Sequence, residues 1–316
     1  MSRNLLVRIA VAVPAIAVTV VVLWLGGWVL ATALAVLGVL GTREVYDLAR
    51  RDGIEPFDRL GLPAAAAVPF ATFWVKGFAD WEPVLYVAAL WLLAVLVVAM
   101  ARGPARRPLS TVSVTVFGSL YASALLAFTV AIRHGPHSDA HPRGSVALAL
   151  LPLVVTWVCD TCAMLAGTLI GGPKLTPVLS PRKTWAGAVG GVVGGLIAAL
   201  LYGPLVLNRL GLQLSVWQLV TVGAVVAAAA QVGDVAESLF KREAGVKDSS
   251  SLIPGHGGVL DRLDSLYFVL PATAGLLRLF GVAGASAWRS SGPPARSAAP
   301  PRTSWHASAS ASEWSR

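Results

Sequence analysis

The chain has 316 residues, 56% of them hydrophobic and only 13% charged, and its mean hydropathy is +0.70. Soluble domains carry about 25% charged residues, so a soluble globular protein is excluded, as is intrinsic disorder, which needs low hydrophobicity with high net charge. The formal net charge of +9, from 25 Lys and Arg against 16 Asp and Glu, fits a membrane protein with basic cytoplasmic loops and calls for no nucleic-acid partner.

A spanning helix needs about 20 mostly apolar residues. Nine runs approach that length, at 5–24, 27–41, 62–79, 83–101, 110–132, 146–171, 185–206, 214–232 and 264–282. They predict an all-α, polytopic integral membrane protein with about nine transmembrane helices. The second run is short and the third carries Lys76. The first, beginning among Arg3 and Arg8, lacks a small-residue cleavage site and reads as a retained helix. On alternate sides of these runs the Lys and Arg residues divide sixteen to four, which places the N-terminus and the basic loops in the cytoplasm. Residues 1–282 thus read as one membrane-embedded domain. Residues 283–316, rich in Ala, Ser, Pro and Arg, read as a disordered tail.

Three local patterns carry structural meaning. Gly187, Gly190, Gly191, Gly194 and Gly195 form overlapping G-x-x-x-G pairs, which suit either tight packing within one subunit or a dimer seam. Cys159 and Cys162 lie inside an apolar run and read as small buried hydrophobes. His134, His137 and His141 gather in a Pro/Gly-rich outer loop with no fourth metal ligand in view.

Ionisable groups in or beside apolar runs point to chemistry, because burying them in a bilayer is costly. Asp160 is the only such group between Val146 and Gly172. After it comes Lys174-Leu-Thr-Pro-Val-Leu-Ser180-Pro181-Arg182-Lys183-Thr184, in which Ser180 is expected to cap a helix with Pro181 at its first position. A helix start beside Arg182 and Lys183 would cradle phosphate.

The segment from Gln231 to Ser265 is more specific. Asp234 ends one helix, and Asp261 and Asp264 begin the next, three apart and so expected on one face. Three converging carboxylates suit a hard cation, Mg²⁺ above all. Lys241, Arg242, Lys247 and Arg262 supply charge for phosphates, and Gly255, His256, Gly257 and Gly258 allow close backbone approach. Acids for metal and bases for phosphate together describe nucleotide phosphoryl chemistry.

The stretch Ser238-x-Phe240-Lys241-Arg242, Lys247-Asp248, Pro254-Gly255-His256-Gly257-Gly258 and Asp261-Arg262-x-Asp264 resembles the signature of phosphatidate cytidylyltransferases (CDP-diacylglycerol synthases). Asp160 through Gly187 is similar to that family's earlier motif. The resemblance implies attack of a phosphatidic acid oxygen on the α-phosphorus of CTP, giving CDP-diacylglycerol and pyrophosphate. It implies catalytic roles for Asp234, Lys241, Arg242, His256, Asp261, Arg262 and Asp264, and substrate binding by Asp160, Ser180, Arg182, Lys183, Thr184, Lys247, Gly257 and Gly258. Asp234, Asp261 and Asp264 would hold Mg²⁺, with a monovalent cation such as K⁺ beside it. A homodimer in the bacterial inner membrane, with its site facing the cytoplasm, is implied as well. The chain departs from the earlier motif at Met164, Thr168, Gly172 and Ala186, where the family usually has Tyr, two basic residues and Glu. The alternatives are a transporter or channel with Asp160 as its intramembrane ion site, a lipid kinase (for which no G-x-x-x-x-G-K-[ST] loop is present), and a catalytically impaired paralogue.

Overall fold

The apolar runs become helices, and charged residues gather where the helices end. The computed structural model describes residues 3–75, 82–135, 137–252 and 257–282; Lys76, Pro254, Gly255, His256 and the 283–316 tail lie outside them. In chain order come α1 (Arg3–Leu25), α2 (Gly27–Arg51), α3 (Asp58–Trp74), α4 (Glu82–Arg102) and α5 (Pro108–Ser119). A π turn, Leu120–Ala124, carries α5 into α6 (Leu125–Arg133). Then follow α7 (Pro142–Leu169), β1 (Lys174–Thr176), β2 (Ser180–Thr184), α8 (Trp185–Tyr202), α9 (Val216–Glu243), the single turn α10 (Leu260–Leu263) and α11 (Leu266–Leu279).

The protein is all-α and polytopic. Among the described residues six helical segments are long and apolar enough to cross a membrane: Gly27–Arg51, Glu82–Arg102, Pro108–Arg133, Pro142–Leu169, Trp185–Leu210 and Val216–Glu243. The expected nine are not reached on that criterion. Three runs miss it: in α1 only the shorter stretch Val13–Leu25 counts, and at about 1.5 Å per residue the 17 residues of α3 and the 14 of α11 fall short of a core about 30 Å thick. On α4, Leu85, Leu90, Leu93 and Val97 are each more than half exposed, a surface that suits lipid and not water.

Small residues set the closest helix contacts. A Cβ added at Gly190 would collide with Ala166, and one at Gly194 would sit 2.5 Å from Cys162 Sγ, so this side of α8 is filled by α7. A Cβ at Gly195 would lie 2.8 Å from Ala227 Cβ on α9. Of the two readings of the glycine stripe, packing within the chain is the one realised by these contacts. Cys159 is buried, both cysteines are free, and they serve as small packing groups. At the opposite end of the bundle, Arg133 donates to Leu23 O (2.8 Å) and Ser145 Oγ (2.8 Å), while His134 Nε2 accepts from Gly27 N (2.8 Å). The histidine therefore closes the α1–α2 junction, and no group of three metal-ligating side chains is found among the described residues.

One expected boundary is corrected. Ser180 does not cap a helix: Ser180–Thr184 is a strand, antiparallel to β1, with Lys174 opposite Thr184 and Thr176 opposite Ser180. The cap is Thr184, whose hydroxyl accepts from Gly187 N at 3.1 Å. Pro181 has no N–H to lose from a helix start, yet it is equally suited to an edge strand. The preceding Lys174–Thr176 segment offers a partner, and so the hairpin forms.

The α7–α8 seam yields a stability test. Gly190→Val should overpack it by about 1–3 kcal/mol and lower the unfolding temperature of the detergent-solubilised protein. An unchanged midpoint would mean that this seam is not closed.

Candidate active site

At one end of the bundle α7, the β1–β2 hairpin, α9 and the turn into α11 bring the predicted segments together. Lys183, the penultimate residue of β2, reaches α9 and pairs through Nζ with Asp234 Oδ2 at 2.7 Å. Its ammonium also lies 3.5 Å from Gln231 O. Gln231 in turn donates to Ala188 O (3.1 Å), tying α9 to the start of α8. Asp234 approaches Asp264 because its neighbour is glycine. A Cβ at Gly233 would lie 2.6 Å from Asp264 O and 3.0 Å from Ser265 Cα, so the two backbones touch there. Asp160, from α7, lies in the electrostatic field of both Asp234 and Asp264 and of Lys183. The two predicted segments therefore meet.

A second cluster lies beside the first. Lys241 donates to Glu237 Oε2 (2.9 Å), one turn back on α9, and to Asp261 Oδ1 (2.7 Å). All three side chains are largely buried. Asp261 Oδ2 accepts from Ser249 N and Gly258 N, each at 2.8 Å, and lies 2.8 Å from Ser249 Oγ. Burial alone would raise the Asp261 carboxyl, but the Gly258 amide, the Lys241 ammonium and the Ser249 donors together hold it below the usual carboxylate range.

Asp261 and Asp264 lie on one stretch of right-handed helical backbone, Asp264 at φ −48°, ψ −51°, and both lie in the field of Glu237, but their oxygens take different partners. α10 is a single turn ending at Leu263, and Asp264 already belongs to the bend before α11. Asp261 turns to Lys241 and the loop, whereas Asp264 Oδ1 is met by its own neighbour's amide, Ser265 N, at 2.6 Å. Among the described residues, no three His, Cys, Asp or Glu side chains close around an ion-sized space. The donor set nevertheless suits a hard cation. Asp160, Asp234 and Asp264 sit in one another's fields with Lys183 among them, and Glu237 Oε1, buried and close to the Asp264 carboxyl, is met by no N–H or O–H donor among the described residues.

The other predicted residues have distinct placements. Arg242 reaches Leu179 O (Nε, 3.4 Å) and Val246 O (Nη1, 3.2 Å), tying the hairpin tip to the end of α9. Arg182, Lys247 and Arg262 are exposed and form no ion pair among the described residues, which leaves their charge free for an anionic ligand. Gly257 adopts φ +78°, where a side chain would be strained, and Gly258 is buried. Ser180 is half-buried in β2 and Thr184 is occupied as the α8 cap. His256 lies outside the described residues. Of the four departures, Met164 and Thr168 are exposed on α7, Ala186 is half-buried, and Gly172 takes φ +100° in the turn before β1. A long basic side chain at position 172 would have to adopt strained backbone.

Two residues at this end escaped sequence reading. Glu237 had a signal, since it lies four residues before Lys241 and three after Asp234 on one helix. Glu44 of α2, which accepts hydrogen bonds from both arms of the 249–260 loop, had none.

Known proteins of one family are similar to this chain. The description of the cytidylyltransferase family matches residues 6–280. A phosphatidate cytidylyltransferase of Synechocystis is 32% identical over 287 residues, which is 84% of this chain and 93% of that protein. Those of Brucella suis and Staphylococcus haemolyticus are 43% and 44% identical over 140 and 122 residues, or 44% and 39% of this chain. These two alignments span about half the length of the relatives, 48% and 45%. With a family match along nearly its whole length and one relative aligned over 93% of its own length, the chain belongs to the cytidylyltransferase family.

Proposed function

We propose that the protein is a phosphatidate cytidylyltransferase, transferring the cytidylyl group of CTP to phosphatidic acid with release of pyrophosphate. The observation that carries this reading is the Lys183–Asp234 contact, which joins the two motif segments at one end of the helices. A lipid phosphate oxygen forms a bond to the α-phosphorus as the bond from that phosphorus to the β-phosphate bridging oxygen breaks. The nucleophile is already anionic, so no strong general base is needed, and the difficulty is to align two mutually repelling anions. Arg182, Lys247 and Arg262 are the free cations for the phosphates, while Lys183 orients Asp234.

Mg²⁺ fits beside Asp234 and Asp264, with Asp160 and the open oxygen of Glu237 near, and a monovalent cation such as K⁺ would share this acidic region. When bound, it would neutralise phosphate charge. Asp261, the third aspartate of the expected metal set, enters this reading chiefly through its bonds to Lys241 and the loop. A transporter would string charges along a pore, whereas these cluster at one end of the bundle. A bacterial inner membrane, with the site facing the cytoplasm, is part of this reading, and the gathering of Arg182, Lys183, Lys241, Arg242, Lys247 and Arg262 at the site's end of the helices supports it. A homodimer is part of the same reading. The lipid must enter from the side, its acyl chains remaining in the bilayer. Exposed Leu169, Ile170, Val178 and Trp185 flank the hairpin and offer such an apolar border.

The direct test is purified protein with radiolabelled CTP, phosphatidic acid and Mg²⁺, from which a labelled lipid-soluble product is expected. A label that stays water-soluble would sink the reading. Asp264→Asn should lower turnover about 100-fold or more without loss of thermal stability, since it removes a charge repelled by Asp234. Asp261→Asn should lower both, destabilising the fold by about 2–3 kcal/mol. Equal stability of the two variants would show that the aspartates are not divided in this way. Reporters fused after Arg107 or Lys183 should report cytoplasm and one after Arg143 the opposite side; a reversed signal at Lys183 would overturn the orientation.

A further inference from the structure

Glu44 lies on α2, 205 residues before Ser249, and is only 4% exposed. Among the described residues no Lys, Arg or His pairs with it. Its two oxygens instead take three donors from one loop and share a fourth, the Ser249 hydroxyl, with Asp261. Oε1 accepts from Ser250 Oγ (2.7 Å) and Val259 N (2.9 Å), and Oε2 from Leu260 N (2.8 Å), with Ser249 Oγ also at 2.8 Å. Each oxygen of the carboxylate thus has at least one donor of its own. Both described arms of the loop, 249–252 and 257–260, are therefore gripped by one side chain.

Two further details tie Glu44 to the site. Ser249 Oγ is 2.8 Å from Glu44 Oε2 and also 2.8 Å from Asp261 Oδ2, so one hydroxyl proton serves two carboxylates. The chain of contacts runs from Glu44 through Ser249 and Asp261 to Lys241 and Glu237, linking α2 to α9 across the loop. Gly258 has its physical reason here as well. A Cβ at that position would collide with Ser249 Oγ and with both carboxylate oxygens of Glu44. A buried carboxylate with no counter-ion is a poor way to gain stability, whereas it is well suited to fixing backbone amides in one place.

We propose that Glu44 is a positioning residue: it fixes the two segments 249–252 and 257–260 and the α10 turn, and thereby sets Asp264 against Asp234. This rests on the cytidylyltransferase reading and adds to it a residue from outside both motif segments. Glu44→Gln keeps the shape but leaves one acceptor oxygen and presents an NH₂ group to donors. Its kcat should fall about 30-fold, as for reacting groups misplaced by a fraction of an ångström, while KM for CTP and for phosphatidic acid stays within about threefold. Hydrogen exchange of full-length protein in detergent should rise at 249–252 and 257–260 and stay unchanged along α7 and α8. Ser250→Ala removes one donor to Glu44 Oε1 and reads the same contact should the Gln variant fail to insert; its kcat should fall about threefold to tenfold, with the same local rise in exchange. In the Gln background it should add little, because the two changes break one interaction. Wild-type kcat and loop protection in Glu44→Gln, or in Ser250→Ala where the Gln variant does not insert, would overturn the proposal. So would a loss that appears in KM alone, or exchange that rises equally in every helix. Absence of lipid-soluble product from the wild-type protein would instead count against the reaction, and the exchange measurement would still decide the clamp.

Discussion

The ammonium of Lys241, held between Glu237 and Asp261, is the contact around which the polar end of the helices is organised. Glu237 is fully buried and Asp261 nearly so, and a buried charge left without its partner costs about 3–5 kcal/mol. The three groups must therefore stay together, and they come from α9 and from the turn that follows the loop. Once Asp261 is anchored to Lys241, the amides of Ser249 and Gly258 are drawn onto its other oxygen. The loop is folded back by the same charge that α9 needs for balance.

That constraint divides two aspartates that the sequence spaces as equals. Asp261 has both oxygens engaged by the fold, Oδ1 by Lys241 and Oδ2 by the Ser249 and Gly258 amides, leaving it less capacity for a ligand than Asp264. Asp264, past the end of a one-turn helix, is directed toward Asp234 by the glycine at 233. There it meets like charge and few donors. A site that concentrates uncompensated carboxylate is unstable on its own terms and gains when a cation or a bound cationic group arrives. Exposed Arg182, Lys247 and Arg262 at this end are uncompensated in the opposite sense. Phosphates placed between them and a metal would satisfy both.

The legible part of this protein is the part set by composition. Runs of apolar residues make helices wherever a bilayer leaves the backbone no other partner, so the runs could be located from the sequence even though six helical segments, and not nine, reach spanning length among the described residues. The hairpin at Ser180–Thr184 was not legible, because Ser-Pro before an apolar stretch reads as a helix start unless a preceding strand captures it. The meeting of Lys183 with Asp234 followed from charge and order along the chain. Asp261 and Asp264 were found from their spacing, but which partners each would take was not legible, because the donors to Asp261 come from Lys241, Ser249 and Gly258. Glu44 left no trace in local pattern, since its partners, two serine hydroxyls and two backbone amides, lie more than 200 residues away.

The placement of the acidic cluster also bears on how a lipid and a nucleotide reach the same atoms. CTP is wholly polar and must come from water, whereas phosphatidic acid gains nothing from leaving the bilayer beyond its headgroup. A site deep within the helices would strip hydration from the phosphates, and a site far above the membrane would expose acyl chains at about 0.8 kcal/mol per CH₂. The position that avoids both costs is the interface. There the last turn of α7 and the hairpin present Leu169, Ile170 and Val178 to the surface close to Lys174 and Arg182 in sequence. Apolar residues beside basic ones at a helix end match the two halves of an anionic lipid. The hairpin that replaces the expected helix start has a consequence here: it carries Lys183 inward to Asp234 while leaving Arg182, its neighbour on the opposite face of the strand, exposed. Strand alternation thus divides two adjacent cations between holding the acidic cluster and meeting the ligand, a division that a helical start at Ser180 would not have produced.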